Sequence, residues 1–304
     1  MRFPVRVVGN GCSEARCFHR GQPALSSLDT LLEGKEKGFL NGLLQEDVSV
    51  RVSLGKRMRA SSSFDCHGVL PNWDDYPCRV KEAIAEAHEV FYPSSLFETM
   101  FQALGKNTFP RNYYDFLGNK IRQTCLFQLL GIPHPRTRLY YGRNRLIRIS
   151  KDFPYPFIAK TPLGSSMGQG VFLIQCEADL GAYLNGHHPA YIQEYLSIDR
   201  DLRVVLIKGR VVHAYWRIHR SGEFRNNVSQ GGRISFDHIP GEALHFAIDV
   251  ARRCEFDEVG LDICRTNGRY YVIEANMVFG LQGFRQRNLD IYCILRDLEK
   301  DGLL

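Results

Sequence analysis

A chain of 304 residues, 44% hydrophobic and 24% charged, has room for two or three domains and the composition of an ordinary soluble globular protein. No apolar run approaches the ~20 residues that span a bilayer, and the start MRFPVRVVGNGCSEARC lacks the apolar core of a secretory signal. The cytoplasm is therefore the expected compartment, with no membrane partner. A net charge of +6 favours an anionic partner, and nine scattered cysteines without a C-x-x-C pair argue for reduced thiols rather than a zinc ribbon.

Up to about Asp115 the pattern is weak. Short strand-like runs fall at Val5–Val8 and Val48–Val52, followed by the basic stretch RVSLGKRMR, which reads as a hairpin with a solvated face. It has no interleaved aromatics of the kind that stack bases, so nucleic acid is not an expected partner. RVKEAIAEAHEV predicts a helix. FYPSSLFETMFQALG predicts a second, with Leu96, Met100 and Leu104 at helical spacing and Ser94-Ser95 placed to cap it.

From Gly118 the punctuation sharpens. GNKIRQTCLFQLLGIPHPRT predicts a helix with Ile121, Cys125, Leu126 and Leu129-Leu130 on one side, stopped by Gly131, with Pro133 and Pro135 forbidding its continuation. A strand PFIAK, a loop GSSMGQG and a strand VFLIQ follow. A Walker-type phosphate loop would lead into a helix, so this loop is instead a flap between strands, or only a hairpin turn. After a helix around EADLGAYL come the strand AYIQEYL, the strands LRVVLIKG and RVVHAYWRI, the polar stretch FRNNVSQGG, the helix GEALHFAIDVARRC and a final pair of strands. Helix–strand alternation with antiparallel hairpins predicts an α+β architecture.

The final pair, GLDICRTNGRYYVIEAN, carries the strongest chemistry. Leu261 and Ile263 alternate with Asp262, and Tyr271, Ile273 and Ala275 alternate with Glu274 and Asn276. If both apolar sets share the core, odd residues pair with odd across a turn centred on Gly268, and Asp262 stands opposite Glu274 with Asn276 one pleat on. Facing carboxylates repel unless a hard cation lies between them, and oxygen donors suit Mg²⁺. A solvated outer face of an edge hairpin is the alternative. Lys160, at the end of the strand before the flap, favours the metal.

The order of these features resembles the ATP-grasp superfamily and, within it, the RimK-like carboxylate–amine ligases. The matching features are Lys120 with GIPHPRT, Lys160 before GSSMGQG, Gln193-Glu194, Asp201 and Arg203, Arg217, FRNN with Gly231-Gly232, Asp262-Ile263, and Glu274-Ala275-Asn276. The resemblance covers about Gly118 to Arg287. It implies an ATP-grasp fold: an N-terminal pre-ATP-grasp domain over 1–116 and an ATP-grasp domain over 117–304. The latter divides into a lid with the flap (117–195) and a C-terminal subdomain with the metal site (196–304).

The resemblance also implies roles. Lys120 and Lys160, with the flap residues Gly164, Ser165, Ser166 and Gly168, would contact the phosphates of ATP. Gln193, Glu194, Tyr195 and Leu196 would form the adenine hinge, and Asp201 would meet the ribose. Arg217, Arg225 and Asn227 would act in catalysis, and Asp262, Glu274 and Asn276 would hold one or two Mg²⁺, with Mn²⁺ as a substitute. The implied reaction joins a small-molecule or peptide carboxylate to an amine, through an acylphosphate. Arg217, Arg220, Arg225, Arg285 and Arg287 are the cations available for an anionic acceptor. One departure is plain: Met277-Val278-Phe279 stands where relatives continue with a Ser-Pro-Gly turn. An ATP-grasp kinase and a non-catalytic nucleotide-binding module remain open as alternatives, as does a homo-oligomer.

Overall fold

The computed structural model describes residues 51–164, 170–218 and 233–304. Val5–Val8, Ser165, Ser166, Gly168, Arg220, Arg225, Asn227 and Gly231-Gly232 lie outside the described residues.

The first sheet is built from β1 (Arg51–Ser53), β2 (Phe64–Cys66), β3 (Glu89–Phe91) and β4 (Asn107–Phe109), all parallel in the order β2-β1-β3-β4. Two helices, α1 (Cys78–Glu86) and α2 (Ser94–Ala103), connect its later strands. Three expectations are corrected here. RVSLGKRMR is not a hairpin: β1 runs into a 3₁₀ turn at Lys56–Met58, and the next strand is parallel. The helix predicted over RVKEAIAEAHEV ends at Glu86, because Glu89–Phe91 forms a central strand. In α2 the residues at helical spacing face outward, with Leu104 73% exposed, while Phe97 and Phe101 pack on Val52, Val80, Ile84 and Val90. The aromatic pair displaces more apolar surface from water, so it wins the core face. Ser94 does accept from the Leu96 amide, at 3.3 Å.

The basic residues of the first stretch are tied inward rather than solvated. Arg51 bonds Glu299 at 2.8 Å, Arg59 lies over the Tyr292 ring, and Arg57 pairs with Glu258, whose side chain is fully buried. Glu258 also accepts from the Tyr92 hydroxyl at 2.7 Å.

After α3 (Lys120–Leu129), the second sheet has β5 (Thr137–Tyr140), β6 (Phe157–Lys160), β7 (Val171–Ile174) and β8 (Ala190–Glu194), antiparallel in the order β5-β8-β6-β7. Helices α4 (Arg145–Asp152) and α5 (Glu177–Gly186) complete its core around Tyr140, Phe153, Phe157 and Leu180. Strands β6 and β7 flank the glycine-rich loop, closed at its base by Thr161 N–H to Gly170 O at 2.7 Å.

The third sheet holds β9 (Arg200–Ile207), β10 (Arg210–Ile218), β11 (Arg233–Ser235), β12 (Glu258–Thr266) and β13 (Arg269–Asn276), in the order β11-β10-β9-β12-β13, with α6 (Gly241–Arg253) before β12. One face, with Leu202, Val204, Leu206, Leu261 and Val272, packs on α6 and α3. On the other, Val205 and Ile207 join Met58, Phe91 and Phe109 of the first sheet's layer and Phe284 and Leu295 of α7 (Gln282–Gln286) and α8 (Ile291–Lys300). The N-terminal strands thus share a core with the central sheet. Among the described residues, no helix is long and apolar enough to cross a membrane.

The register expected for the last hairpin holds at its chemical end and fails at its turn. Asp262 pairs with Glu274, and Gly260 with Asn276. Nearer the turn Ile263 pairs with Val272, so odd residues meet even ones, and Ile273 is the bulged residue. Asn267 and Gly268 both have positive φ, +50° and +74°, the two-residue turn that twists with its strands. That turn shifts the pairing by one, and the bulge restores it before Glu274. The core residues of β13 are consequently Val272 and Ala275, not Tyr271 and Ile273.

The Arg57–Glu258–Tyr92 contact makes a stability prediction. Arg57→Ala strands a buried carboxylate and should cost roughly 3–5 kcal/mol in urea unfolding. Adding Glu258→Gln should recover much of the loss, and an additive double variant would show that the pair is not coupled.

Candidate active site

The helix α3 is read differently by the structure than by its apolar spacing. Its buried residues are Lys120, Gln123, Thr124 and Phe127, whereas Leu129 is 84% exposed. Buried polar groups require partners, and each of the first three has one. Lys120 Nζ lies 2.9 Å from Glu274 Oε1. Gln123 receives the Ala275 N–H at 3.2 Å and donates to the Ala275 carbonyl at 2.7 Å, closing the free edge of β13 as a strand would. The Thr124 and Tyr191 hydroxyls meet at 2.7 Å. Sequence reasoning missed Gln123 and Thr124. The available signal was their placement one turn beyond Lys120, on the same face.

Lys160 ends β6 and lines one pocket with Lys120, Gln123, Thr124, Phe127, Glu274 and their neighbours. Its ammonium is pushed down to about 8 by burial, opposed by Glu274 and assisted by Lys120. Lys120 is thus ion-paired with Glu274, and the buried Lys160 senses the same carboxylate without pairing with it. A buried charge is costly unless paired, so this pocket is built to receive an anion.

Beside it lies a denser array. Asp262, 4% exposed, accepts from Arg203 through both oxygens, from Arg217 Nη2 at 2.8 Å and from Asn276 Nδ2 at 3.1 Å. Arg217 Nε also donates to Asp201 at 2.7 Å. Burial pushes Asp262 upward, but the two guanidiniums outweigh it and hold the carboxyl below the usual range. Burial raises Asp201 to about 6, against the pull of Arg217. The pairing follows from register: Asp262 is opposite Arg203 on β9, and Asp201 is opposite Arg217 on β10.

Three residues expected to hold a metal are brought together here. Asp262, Glu274 and Asn276 come together at one end of the β12–β13 ladder, a set of hard oxygens by residue type. The Asp262 oxygens are engaged by Arg203, Arg217 and Asn276, and Glu274 is engaged by Lys120. Against the carboxylates of Asp201, Asp262 and Glu274 stand four cations, Lys120, Lys160, Arg203 and Arg217, leaving one positive charge for an anionic ligand to neutralise.

The other expected site residues sit around this centre. Gln193 is buried and donates to the Thr137 hydroxyl at 2.9 Å, and Glu194 accepts from the Arg136 amide at 2.6 Å. Tyr195 is exposed and Leu196 half-buried on the connection to β9. Gly164, at φ +66°, donates its N–H to Gly118 O at 3.1 Å, tying the base of the flap to the start of α3. Ser165, Ser166, Gly168, Arg225 and Asn227 lie outside the described residues.

The segment that replaces the Ser-Pro-Gly turn has a packing role. Met277 enters the α6-side core and Phe279 the opposite one. Phe279 leaves no room for a side chain at position 260, where a Cβ would lie 2.7 Å from its own. Beyond it, α7 presses on β10, with Gly283 against the Tyr215 ring and Arg287 4.3 Å over the Phe236 ring.

The family model for the RimK-like ATP-grasp domain matches residues 118–296, more than half of the chain. Beta-citrylglutamate synthase B of Danio rerio is 30% identical over 192 residues, covering 59% of this chain and 47% of that protein. A probable alpha-L-glutamate ligase of Alkalilimnicola ehrlichii is 28% identical over 228 residues, covering 71% of this chain and 72% of its own. The chain spans about half the length of several curated relatives it matches, such as 47% and 57% of two of them. Among solved structures, a RimK domain ATP-grasp protein from Sphaerobacter thermophilus aligns with a TM-score of 0.59 at 14% identity, over 81% of this chain and 98% of that one. The ATP-grasp ligase PsnB, complexed with minimal precursor, Mg and ADP, aligns with a TM-score of 0.60 at 17% identity, over 84% and 99%. The fold is that of ATP-grasp proteins, and the chain belongs to the RimK-like ATP-grasp family.

Proposed function

We propose that this protein is an ATP-dependent carboxylate–amine ligase that forms an amide or peptide bond through an acylphosphate. The observation that carries this reading is two buried lysines beside Glu274, Lys120 ion-paired with it, next to a carboxylate–arginine array. Relatives named as glutamate ligases and a citrylglutamate synthase support it, and they favour an acidic amino acid or acidic peptide among the substrates.

In this reading Lys120 and Lys160 hold the phosphates and Gln193 to Leu196 border the base, while Asp201, which the resemblance assigns to the ribose, has its carboxylate buried on Arg217. Asp262, Glu274 and Asn276 would hold Mg²⁺, which supplies charge neutralisation on the phosphates. The substrate carboxylate attacks the γ-phosphorus; the new C–O–P linkage forms as the bond to ADP breaks. Arg217 stands where charge spreads over the transferring group, and Arg203 keeps Asp262 ionised beside it. The amine then attacks the acyl carbon, phosphate leaves, and Arg217 faces the developing oxyanion. Arg225 and Asn227, outside the described residues, keep the catalytic roles that the family resemblance implies. Arg287, Tyr215 and His213 border the β10 face that leads to Arg217, and we place the anionic acceptor there.

ADP release should require both a carboxylate and an amine, and hydroxylamine should trap an acyl hydroxamate. Turnover on a hydroxyl substrate alone would instead make the protein a kinase. Glu274→Gln should lower turnover by about 100-fold or more, and because it leaves the buried Lys120 ammonium without its carboxylate it should lower the thermal unfolding temperature as well, the variant remaining folded. Undiminished turnover would remove Glu274 from the site.

A pH dependence follows from Lys160. Its ammonium is held near 8 in the free protein, and a bound phosphate raises it, so binding takes up a proton. Nucleotide affinity should be level below pH 7 and weaken above 8, by at most about tenfold per pH unit. Calorimetry in buffers of different ionisation enthalpy at pH 8.5 should register the proton uptake, and a pH-independent affinity would oppose this role.

A further inference from the structure

His134 occupies the turn between α3 and β5, where Gly131 ends the helix and prolines flank the ring. Its side chain lines the pocket that holds Lys120, Lys160, Gln193 and Glu274. Nδ1 lies 2.7 Å from the Ile132 carbonyl. A carbonyl only accepts, so Nδ1 carries the hydrogen, and in the neutral ring Nε2 presents a bare lone pair. Among the described residues that nitrogen has no hydrogen-bond partner.

The direction of the pocket gives this acceptor its meaning. Lys120 opens α3, and Phe127, whose ring is 6.1 Å from His134, stands two turns later, roughly 10 Å along the axis. One end is therefore the ammonium–carboxylate end, and the other is the histidine turn. The turn is fixed there by the Val272 amide donating to Pro133 O at 2.9 Å, and by β5, whose Thr137 pairs with Gln193. Phosphates at the lysines place the base at the turn. Adenine offers a donor amine at the ring position where guanine and hypoxanthine carry an acceptor carbonyl.

We infer that His134 is a specificity-determining residue, whose Nε2 accepts from the 6-amino group of the nucleotide base and opposes 6-oxo purines. This rests on the nucleotide-binding role proposed above. A site that accepts a hydrogen bond from a ligand's amine rejects the analogue that presents a second acceptor, because two lone pairs are then opposed.

The test is calorimetric titration of the full chain with ADP and with inosine diphosphate, for the native protein, His134→Ala and His134→Gln. The native protein should prefer ADP. In His134→Ala that preference should shrink about three- to tenfold, the worth of one neutral hydrogen bond, with inosine diphosphate bound no more weakly than before. His134→Gln presents an amide donor as well as an acceptor, so inosine diphosphate should gain affinity; this variant carries the test alone if the alanine variant does not fold. Equal losses for both ligands, or an unchanged preference, would overturn the assignment while leaving nucleotide binding intact. Failure of the native chain to bind either nucleotide would overturn the proposed function together with it.

Discussion

The ion pair between Arg203 and Asp262 is the constraint around which the central sheet is arranged. Both side chains are buried between paired strands, where an unmatched charge would cost several kcal/mol. Their geometry demands that β9 and β12 align with Arg203 opposite Asp262, and that β10 bring Arg217 alongside. A slip of one residue would turn Asp262 into the α6-side core and Leu261 out of it. The charges therefore lock the same register that the apolar residues select, and the two requirements reinforce each other.

This arrangement also explains why the sheet can carry so many charges without unfolding. Leu202, Val204 and Leu206 of β9 bury one face completely, while Val205 and Ile207 bury the far part of the other. Only the stretch of Asp201 and Arg203 is given to chemistry. The first sheet supplies the missing cover through Met58, Phe91 and Phe109, so the N-terminal strands are part of the central sheet's core as well as neighbours of its active face. Asp262 is thus held ionised by Arg203 and Arg217 and fixed by four polar contacts.

The β5–β8 sheet has its own core of Tyr140, Phe153, Phe157 and Leu180. It touches the central sheet's chemistry mainly through α3, whose Lys120, Gln123 and Thr124 reach Glu274, Ala275 and Tyr191. The N-terminal half of α3 is thus joined to both sheets by polar contacts, so displacing one sheet from the other would break buried bonds there.

Much of the site was legible in the sequence because its residues break local rules. Asp262 and Glu274 interrupt apolar alternation, Lys160 closes a hydrophobic strand, and glycines follow it; such departures identify function without coordinates. What the alternation could not reveal was the bulge at Ile273, since a two-residue turn and a centred turn leave the same pattern beside Glu274. Nor could spacing predict that α2 buries Phe97 rather than Leu96, or that α3 buries glutamine rather than leucine. Periodicity says that a helix has faces; which face is covered depends on what packs there. The sequence by itself determined the chemistry, through residue types and their order. Only the tertiary structure decided the pairings, for Arg57 finds Glu258 and Gln123 finds Ala275 across long stretches of chain, where partner choice is set by three-dimensional proximity and by the cost of leaving a buried polar group alone.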